Sequence, residues 1–276
     1  MAIIVLRELL PHERDEDGSK WLVEGLVARA SLGVIGALPK CGKTFLGLQM
    51  ALAVSTGTPF LGHFKTRKAR VLFVELEDPA MLLAERTGAL MRGHGIPSPE
   101  PGYLQFAIES VRIDTADGIS HLRQLLAETK AELCIIDTLN RAHALNENLQ
   151  THASKIIAAL DGLCREFGVG LLCTHHTGKA GKSGQGGKAL RGSSVLHAGL
   201  QTSLLLWRTE TPGRIRVEPE SKFGAPEPFT YEQIAGEGTV RLSWVEEATI
   251  HAPFITKHAR WLERQRRKRR KYVGGR

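Results

Sequence analysis

The sequence predicts an α/β fold in which a mostly parallel, twisted sheet carries helices on both faces and has antiparallel strands at one edge. Apolar, β-rich runs alternate with amphipathic segments through the first two thirds of the chain, as in folds built from parallel strands and crossover helices. From Thr202 onward, short strand-like runs are separated by turn residues, which fits antiparallel strands added at one edge. We therefore expect a lead-in segment over residues 1–30, one large domain over 31–250 and a C-terminal tail over 251–276.

The composition is ordinary for a protein that buries a core, with 42% hydrophobic and 24% charged residues. No apolar run approaches the roughly 20 residues that a membrane-spanning helix needs, and the N-terminus becomes charged too early for a signal peptide. The four cysteines contain no Cys-x-x-Cys pair, so we interpret them as reduced structural thiols rather than metal ligands. These features predict a cytoplasmic protein with no membrane partner.

Positive charge is concentrated at the C-terminus. The net charge of the chain is +8, and residues 257–276 alone hold ten Lys or Arg and one acid, Glu263. A near-neutral body therefore carries a cationic tail. Such a tail suits phosphate binding by counterion release and equally suits a solvated end; both interpretations are open, and they are not exclusive.

The strongest motif is Gly36-Ala37-Leu38-Pro39-Lys40-Cys41-Gly42-Lys43-Thr44. It follows an apolar run and precedes a segment that is apolar at helical spacing, and this order of strand, loop and helix is that of a P-loop. Its backbone N–H groups would bind a polyphosphate, with Lys43 at the β- and γ-phosphates and the Thr44 hydroxyl on Mg²⁺. The usual first Gly is replaced by Ala37, which is tolerated if its φ is negative; the alternative is an incidental Gly-Lys-Thr at a helix start. The expected nucleotide-binding residues are Ala37, Leu38, Pro39, Lys40, Cys41, Gly42, Lys43, Thr44 and Phe45.

A second β-rich run, residues 69–74, ends in Glu75-Leu76-Glu77-Asp78-Pro79. Acids that follow a strand beside the P-loop strand lie at the carboxyl edge of a parallel sheet, where ligands bind in doubly wound folds. Glu77 is therefore a candidate general base for the attacking water. The residues alone leave a second role open, in which Asp78 caps the helix expected from residue 80 to about 93.

A third apolar run, Leu133-Cys134-Ile135-Ile136, ends in Asp137 and follows an amphipathic helix expected over residues 118–132. Four apolar residues that end in Asp are typical of a buried central strand with a Walker B carboxylate. Since this run lies downstream of a P-loop, we expect Asp137 to bind Mg²⁺ through water, opposite Thr44. A packing helix is expected from about residue 149 to 167.

The next expected strand, residues 168–174, ends in His175 and His176. A polar side chain at this strand tip is placed to contact the γ-phosphate and to respond to its loss. Because adjacent residues of an extended chain point to opposite faces, one histidine is expected at the phosphate and the other in packing or hydrogen bonding. Both are candidate catalytic residues, and no nearby Cys or acid completes a metal site.

Residues 178–188 contain five glycines and three lysines, a composition that cannot pack into a core. We favour contact with a nucleic-acid backbone over a plain surface linker, because the loop follows the phosphate-contacting strand and its charges suit contacts without base readout. A helix is expected to begin at Ser193 or Ser194. The expected DNA-binding residues are Lys179, Lys182, Lys188 and Arg191.

Taken in order, these motifs resemble those of the RecA-like P-loop ATPases, and within them the RepA-type hexameric replicative helicases and their AAA-like relatives. The resemblance covers roughly residues 20–245. It implies ATP bound with Mg²⁺ at subunit interfaces, and a homo-oligomeric ring, a hexamer in that family, whose central pore takes single-stranded DNA. The segments that carry it are residues 36–44, 74–79, 135–139, 174–179, 191–196 and 221–226.

The resemblance also implies roles for single residues. Glu77 matches the family's catalytic glutamate, and His176 or its neighbour His175 matches the γ-phosphate-sensing strand tip. Lys222 lies in a segment similar to the Lys-x-Arg element that related ring ATPases insert into the neighbouring subunit's phosphates. The Gly/Lys loop occupies the position of a pore loop that contacts DNA.

The sequence departs from the family pattern at two places. Phe223-Gly224 leaves no arginine directly after Lys222, and Gln201 stands where RepA-type helicases carry an arginine finger. Activation in trans would then rest on Lys222 or on another arginine such as Arg208.

The expected function is that of an ATP-hydrolysing DNA motor, a ring-forming replicative helicase subunit of a plasmid or mobile element, with a replication initiator or primase as a further partner. One alternative is a RecA/RadA-like recombination or regulatory ATPase that does not unwind DNA. Another is a nucleotide-switched binding module without turnover. A small-molecule P-loop kinase is disfavoured because no arginine-rich lid follows the sensor strand.

Overall fold

Strands and helices alternate along the part of the chain that the structure, a computed structural model, describes: residues 20–178, 190 and 194–246. The strands are β1 (Trp21–Val23), β2 (Val27–Ala28), β3 (Leu32–Ala37), β4 (Val71–Glu75), β5 (Leu104–Ala107), β6 (Leu133–Asp137), β7 (Gly170–His176), β8 (Thr202–Arg208), β9 (Arg214–Ser221), β10 (Phe229–Gly236) and β11 (Thr239–Val245). The helices are α1 (Lys43–Thr56), α2 (Ala80–His94), α3 (Ala116–Thr129), α4 (Gln150–Phe167) and α5 (Ser194–Gly199), with a 3₁₀ turn at Leu139–Arg141.

Nine of these strands form one sheet in the order β11-β10-β9-β8-β3-β7-β6-β4-β5. The strands from β8 to β5 in this order pair in parallel, and β9, β10 and β11 extend the β8 edge with antiparallel pairing. The predicted fold class is therefore confirmed. β1 and β2 form a separate two-stranded ribbon whose apolar residues join the core on one face of the large sheet.

One strand joins the two parts of the sheet in a way that the sequence did not predict. β8 was expected among the antiparallel strands, but it pairs in parallel with β3 and antiparallel with β9. Its residues Leu204, Leu205 and Leu206 are all buried, as in a strand covered on both faces. As a result, the end of β8 lies beside the end of the P-loop strand.

The core lies on both faces of the sheet because side chains alternate along each buried strand. In β4, Val71 and Phe73 belong to the cluster that packs α1 and α2, whereas Leu72 and Val74 belong to the cluster that packs α3 and α4. The sheet is thus covered by helices on both sides, and its strand ends carry the polar residues.

Helix ends follow local sequence with one shift. α1 stops at Gly57, which has a left-handed φ of 76° and donates its N–H to the Ala53 carbonyl, as the predicted break at this glycine requires. α3 begins two residues earlier than predicted, because the Thr115 hydroxyl accepts the N–H of Gly118 at 3.1 Å and caps the first turn. It ends before Lys130, which takes a left-handed φ of 51°.

Some predictions concern residues outside the described ranges. Most of the lead-in segment, the greater part of the Gly/Lys loop and the basic tail over residues 251–276 lie there. The proposed domain boundaries stay predictions. Among the described helices, none has the length and apolar character needed to cross a membrane.

Candidate functional site

The P-loop connects the end of β3 to the start of α1. Ala37 is the last residue of β3 and keeps an extended backbone, which is the condition under which it can replace glycine. Gly42 precedes α1 with a φ of 84°, and a Cβ there would lie 3.0 Å from the Gln233 Oε1 atom. Both the positive φ and the close approach require glycine at this position. The loop therefore presents the N-terminus of α1, where unpaired N–H groups favour an anion.

A cleft of about 840 Å³ opens over this loop, a size that suits a nucleotide. Five of the residues predicted for the chemistry line it together: Lys43, Thr44, Glu77, Asp137 and His176. They come from the P-loop helix and from the ends of β4, β6 and β7, which meet at one edge because these strands are parallel. The remaining P-loop residues that line the cleft are Pro39, Lys40, Cys41, Gly42 and Phe45.

Two of the predicted nucleotide-binding residues do not line the cleft. Ala37 is fully buried at the end of β3, and Leu38 points outward with 40% of its surface exposed. Both carbonyl groups nevertheless lie near the Lys43 ammonium, at 3.5 Å for Ala37 and 3.4 Å for Leu38. Their contribution is therefore made by the backbone rather than by the side chain.

Lys43 is the cation at the centre of the cleft. Its Nζ lies 3.3 Å from the His176 Nδ1 atom, and only 8% of the residue is exposed. Burial lowers the pKa of Lys43, an effect opposed first by Asp137 and then by Cys41 and Glu77. A poorly hydrated ammonium in such a place binds a phosphate oxygen more strongly than one in bulk water.

Asp137 has the environment expected of a metal-binding carboxylate. Its Oδ1 accepts the Thr174 hydroxyl, while its Oδ2 is buried and has no hydrogen-bond partner among the described residues. Burial raises the pKa of Asp137, and the nearby Thr174 and Thr44 hydroxyls oppose the rise. A buried carboxylate oxygen without a partner, next to a threonine hydroxyl, fits the hard oxygen ligands that Mg²⁺ prefers.

The described residues hold no cluster of three or more His, Cys, Asp or Glu side chains that would bind a metal by itself. This is consistent with Mg²⁺, which is bound by one or two protein oxygens together with substrate phosphates and water. The residues present therefore fit a Mg²⁺–nucleotide rather than an isolated metal ion.

Glu77 and Asp78 lie in the turn between β4 and α2. Glu77 is exposed to the cleft, as a group that meets a water molecule must be. The expected cap at Asp78 is wrong: the residue before α2 is Pro79, and no side chain caps the helix. The Asp78 carboxylate forms an ion pair with Arg86 instead, because that arginine lies on the second turn of α2 and faces the same cleft. Its guanidinium also lies 5.6 Å from the centre of the Phe45 ring.

Glu75, the last residue of β4, is a site residue that sequence reasoning missed. It is 2% exposed and stands directly opposite Asp137 in the parallel pairing of β4 and β6. Burial raises the pKa of Glu75 to about 7, and the Asp137 and Asp78 charges add to the rise while two backbone N–H groups oppose it. The available signal was its place at the end of a buried strand, one register position from Asp137.

The two histidines of β7 lie on opposite faces of the sheet. His176 lines the cleft and contacts Lys43. His175 is fully buried on the other face, where its Nδ1 lies 2.7 Å from the Asn140 Oδ1 and its Nε2 lies 3.4 Å from the Glu147 Oε2. The alternation of an extended chain thus separates them, and His175 is not brought to the cleft as a candidate catalytic residue would be.

The geometry just described has counterparts in known proteins. Residues 15–182, more than half of the chain, match the family model described as an AAA domain (AAA_25). The chain belongs to this AAA domain family. The structure is similar to a solved structure of the ATPase domain of a helicase, with a TM-score of 0.59 and 16% sequence identity over 79% of this chain and 86% of that one. At this identity the likeness establishes the fold, and together the two findings make the chain a RecA-like P-loop ATPase.

The antiparallel strands close the cleft of this ATPase on the side away from Glu77. The turn between β8 and β9, with Thr209, Thr211, Pro212 and Gly213, lines the cleft together with Ile215 and Gln233. Sequence reasoning assigned these strands to the sheet edge but not to the site. Their contribution depends on the pairing of β8 with β3, which brings a distant turn over the P-loop.

Arg208, at the end of β8, contacts the P-loop of its own subunit. Its Nη2 donates to the Lys40 carbonyl, and its charge lies near the Cys41 thiol. Arg208 also lines the cleft. The suggestion that this arginine acts in trans is therefore wrong, because β8 pairs with β3 and holds the guanidinium at the loop from within.

Lys222 and Gln201 lie at the opposite end of the sheet. Gln201 donates its N–H to the Leu32 carbonyl at 2.8 Å and accepts the Leu32 N–H at 2.7 Å through its side chain, so it secures the start of β3. Lys222 donates its own N–H to Gln201 and its ammonium to the Ala198 carbonyl at 3.1 Å. Because the cleft lies beyond the other end of β3, Lys222 does not reach the phosphate site of its own subunit.

The expected DNA-binding residues Lys179, Lys182, Lys188 and Arg191 lie outside the described residues. The two ends of that segment are described: Thr177 and Leu190 form an antiparallel bridge. The segment therefore leaves and returns at one point, directly after His176.

Proposed function

We propose that the chain hydrolyses ATP as a subunit of a DNA motor, and specifically of a ring-forming replicative helicase of the RepA type encoded by a plasmid or mobile element. The observation that carries the proposal is the convergence of Lys43, Thr44, Glu77, Asp137 and His176 on one cleft. A nucleotide-binding module without turnover would not need an exposed carboxylate such as Glu77 facing the phosphate end of the cleft.

Each residue has a part in the proposed reaction. The loop N–H groups and Lys43 bind the β- and γ-phosphates and offset the charge that develops on them. Thr44 and Asp137 would hold Mg²⁺, which supplies charge neutralisation of the phosphates. Glu77 accepts a proton from the attacking water, and His176 contacts the γ-phosphate through the same space that it shares with Lys43.

The proposal includes assembly of several copies into a ring, a hexamer by resemblance. Its support is the position of Lys222, which is exposed and lies at the end of the sheet away from its own cleft. A lysine so placed can act on phosphates only in a neighbouring copy. A head-to-tail arrangement, in which the Lys222 end of one subunit meets the cleft of the next, closes into a ring.

Single-stranded DNA is the proposed partner of the Gly/Lys loop. The support is the short chain path between chemistry and loop: His176 contacts Lys43, and the loop begins two residues later. Loss of the γ-phosphate would therefore be felt at the base of the loop, where Thr177 bridges Leu190. The basic tail would add contacts to phosphates without base readout, and a replication initiator or primase would be a further partner.

The test of the motor is the rate of ATP hydrolysis with and without single-stranded DNA. We expect DNA to raise kcat of the purified chain, and removal of residues 260–276 to weaken DNA binding and its dependence on salt. The matched control is single-stranded DNA added to a Glu77→Gln variant, which should bind DNA and ATP but turn over neither faster nor slower. A wild-type rate that DNA leaves unchanged would contradict the motor and leave the ATPase standing.

A second function is favoured by one observation. Since Gly224 stands where related ring ATPases carry an arginine after the lysine and residue Phe223, the trans-acting charge is reduced to Lys222 alone. A RecA/RadA-like recombination or regulatory ATPase would tolerate such a loss better than a processive helicase. Strand displacement on a forked duplex separates the two, because only the helicase should release the displaced strand.

A further inference from the structure

The turn that carries Glu77 is fixed by three consecutive backbone N–H groups. The Leu76 N–H is donated to the Asp137 carbonyl at 2.7 Å. The N–H groups of Glu77 and Asp78 are both donated to one atom, the Glu75 Oε1, at 2.9 Å each. The position of Glu77 relative to Asp137 is therefore set by two anchors, a carbonyl of β6 and a side chain of β4.

The Glu75 carboxyl is an unusual group for this purpose. It is buried at the end of a strand whose other residues are Val71, Leu72, Phe73 and Val74, where an apolar residue would be the ordinary choice. Its second oxygen, Oε2, is also buried and has no hydrogen-bond partner among the described residues. A buried acid with an unsatisfied oxygen lowers stability, so fold stability does not explain it.

We propose that Glu75 is a positioning residue for ATP hydrolysis, whose Oε1 holds the Glu77 turn so that the Glu77 carboxylate faces the attacking water. This inference rests on the proposed function, in which Glu77 activates that water. The Glu77 side chain is exposed, so its own packing does not fix it, and its backbone is the part of the residue that the protein holds in place.

The geometry gives the expected size of the effect. Without an acceptor at position 75, two backbone N–H groups lose their partner and the turn becomes free to move at Glu77. A displacement of a reacting group by about 1 Å costs on the order of 100-fold in rate. Nucleotide affinity should change little, because the P-loop contacts are made by residues of β3 and α1.

The experiment compares two variants of similar volume and zero charge. Glu75→Gln keeps an acceptor oxygen and Glu75→Leu does not. We expect Glu75→Leu to lower kcat by about 10- to 100-fold with an ATP Kd within about three-fold of wild type, and Glu75→Gln to restore most of the rate. If Glu75→Leu does not fold by circular dichroism, Glu75→Ala replaces it, since both lack the acceptor.

A matched control is Asp114→Leu. The Asp114 carboxylate also accepts a backbone N–H, that of Ala144 at 2.9 Å, but it does not line the cleft. This variant should lose thermal stability without a change in kcat per folded molecule. It thus separates loss of a carboxylate acceptor from loss of the Glu77 position.

The decisive readout is a double-mutant cycle with Glu77→Gln. If Glu75 acts through Glu77, then Glu75→Leu lowers kcat in the wild-type background and adds nothing in the Glu77→Gln background. Equal losses in both backgrounds, or a Glu75→Gln rate no better than that of Glu75→Leu, would overturn the inference. Wild-type turnover that Glu77→Gln leaves intact would overturn the proposed role of Glu77 and this inference with it, whereas Glu77-dependent turnover that Glu75→Leu leaves intact would overturn the inference alone.

Discussion

His175 and His176 are neighbours in the chain, yet they belong to two regions with opposite properties. On the cleft face, His176 lies among Lys43, Asp137 and the phosphate-binding loop, and the Asp137 Oδ2 there has no hydrogen-bond partner within the described residues. On the other face, His175 belongs to a buried polar cluster with Asn140, Glu147 and His143, in which Glu147 contacts both histidines.

The difference teaches which polar groups serve a ligand and which serve the fold. Buried charges are retained in proteins when they are paired, because an unpaired charge in a low-dielectric interior is costly. The cluster on the His175 face pairs its charges within the protein. The cleft face leaves an Asp137 oxygen and a partly desolvated Lys43 ammonium for groups that arrive from outside. The first region should therefore govern stability, and the second should govern turnover.

The largest expected effect is on the cleft face. Lys43→Ala should lower kcat/KM for ATP by about 1,000-fold, because the ammonium is the main positive side chain at the expected phosphates. Its melting temperature should stay at or above that of wild type, since the variant removes a desolvated charge. Steady-state hydrolysis and thermal unfolding measure both, with Lys155→Ala on the exposed side of α4 as the control. A Lys43→Ala variant that is unstable but active would reverse the comparison.

The opposite face should give the opposite result. His175→Ala removes a fully buried side chain and one partner of Glu147, and we expect a loss of roughly 2–4 kcal/mol in the free energy of unfolding. Denaturant titration measures it. The control is His197→Ala, because His197 faces Glu220 at 3.0 Å on an exposed surface, where such a pair is worth about 0–1 kcal/mol. Equal losses for the two variants would remove the distinction between the faces.

The pH dependence of stability tests the cleft face independently. The pKa of Glu75 is raised from 4.5 to about 7, so between these pH values the folded chain binds a proton that the unfolded chain has released. Glu75 therefore lowers stability as the pH rises from about 4.5 to 7, by roughly 2 kcal/mol. Glu75→Gln should flatten the decline in melting temperature between pH 5 and 7.

A carboxylate with the opposite shift provides the comparison. Arg112 holds the pKa of Asp114 at about 2, so its stabilising contribution is complete above the unfolded pKa and is lost only as the pH falls toward 2. Asp114→Asn should therefore displace the curve between pH 5 and 7 without changing its slope. An unchanged slope in Glu75→Gln as well would contradict the raised pKa of Glu75.

The smallest of these effects is expected at His176. His176→Ala should lower kcat by about 10-fold, with the free energy of unfolding within about 1 kcal/mol of wild type, because the ring is half-buried at the edge of the cleft. Hydrolysis assays and denaturant titration on the same preparation give both numbers. If His176→Ala is as destabilising as His175→Ala, the two faces do not differ in the way described.

The sequence predicts the parts of the site that depend on local pattern. Lys43, Thr44 and Asp137 stand at the ends of buried strands or at the start of a helix, and their residue types are demanded within a few positions. The separation of His175 from His176 follows from strand alternation alone. Parallel pairing then brings these residues to one edge, so the fold class and the position of the cleft were within reach of the sequence.

The rest depends on contacts between distant residues. Arg208 reaches a carbonyl 168 positions away, and that contact exists only because β8 pairs in parallel with β3. The Asp78 ion pair with Arg86 was missed because a capping role and an ion pair on the next turn of a helix are equally compatible with the sequence. Glu75 was missed because its role requires knowing that it stands opposite Asp137 and that its carboxyl turns back onto its own turn.

The central claim is that the cleft hydrolyses ATP and that Glu77 activates the water. Equilibrium binding of ATP with Mg²⁺ and release of phosphate, measured for Glu77→Gln beside wild type, test it most directly; Glu85→Gln on the exposed side of α2 is the control. We predict an ATP Kd within about three-fold of wild type and a fall in kcat of about 100-fold or more. Phosphate release by Glu77→Gln at the wild-type rate would contradict the claim.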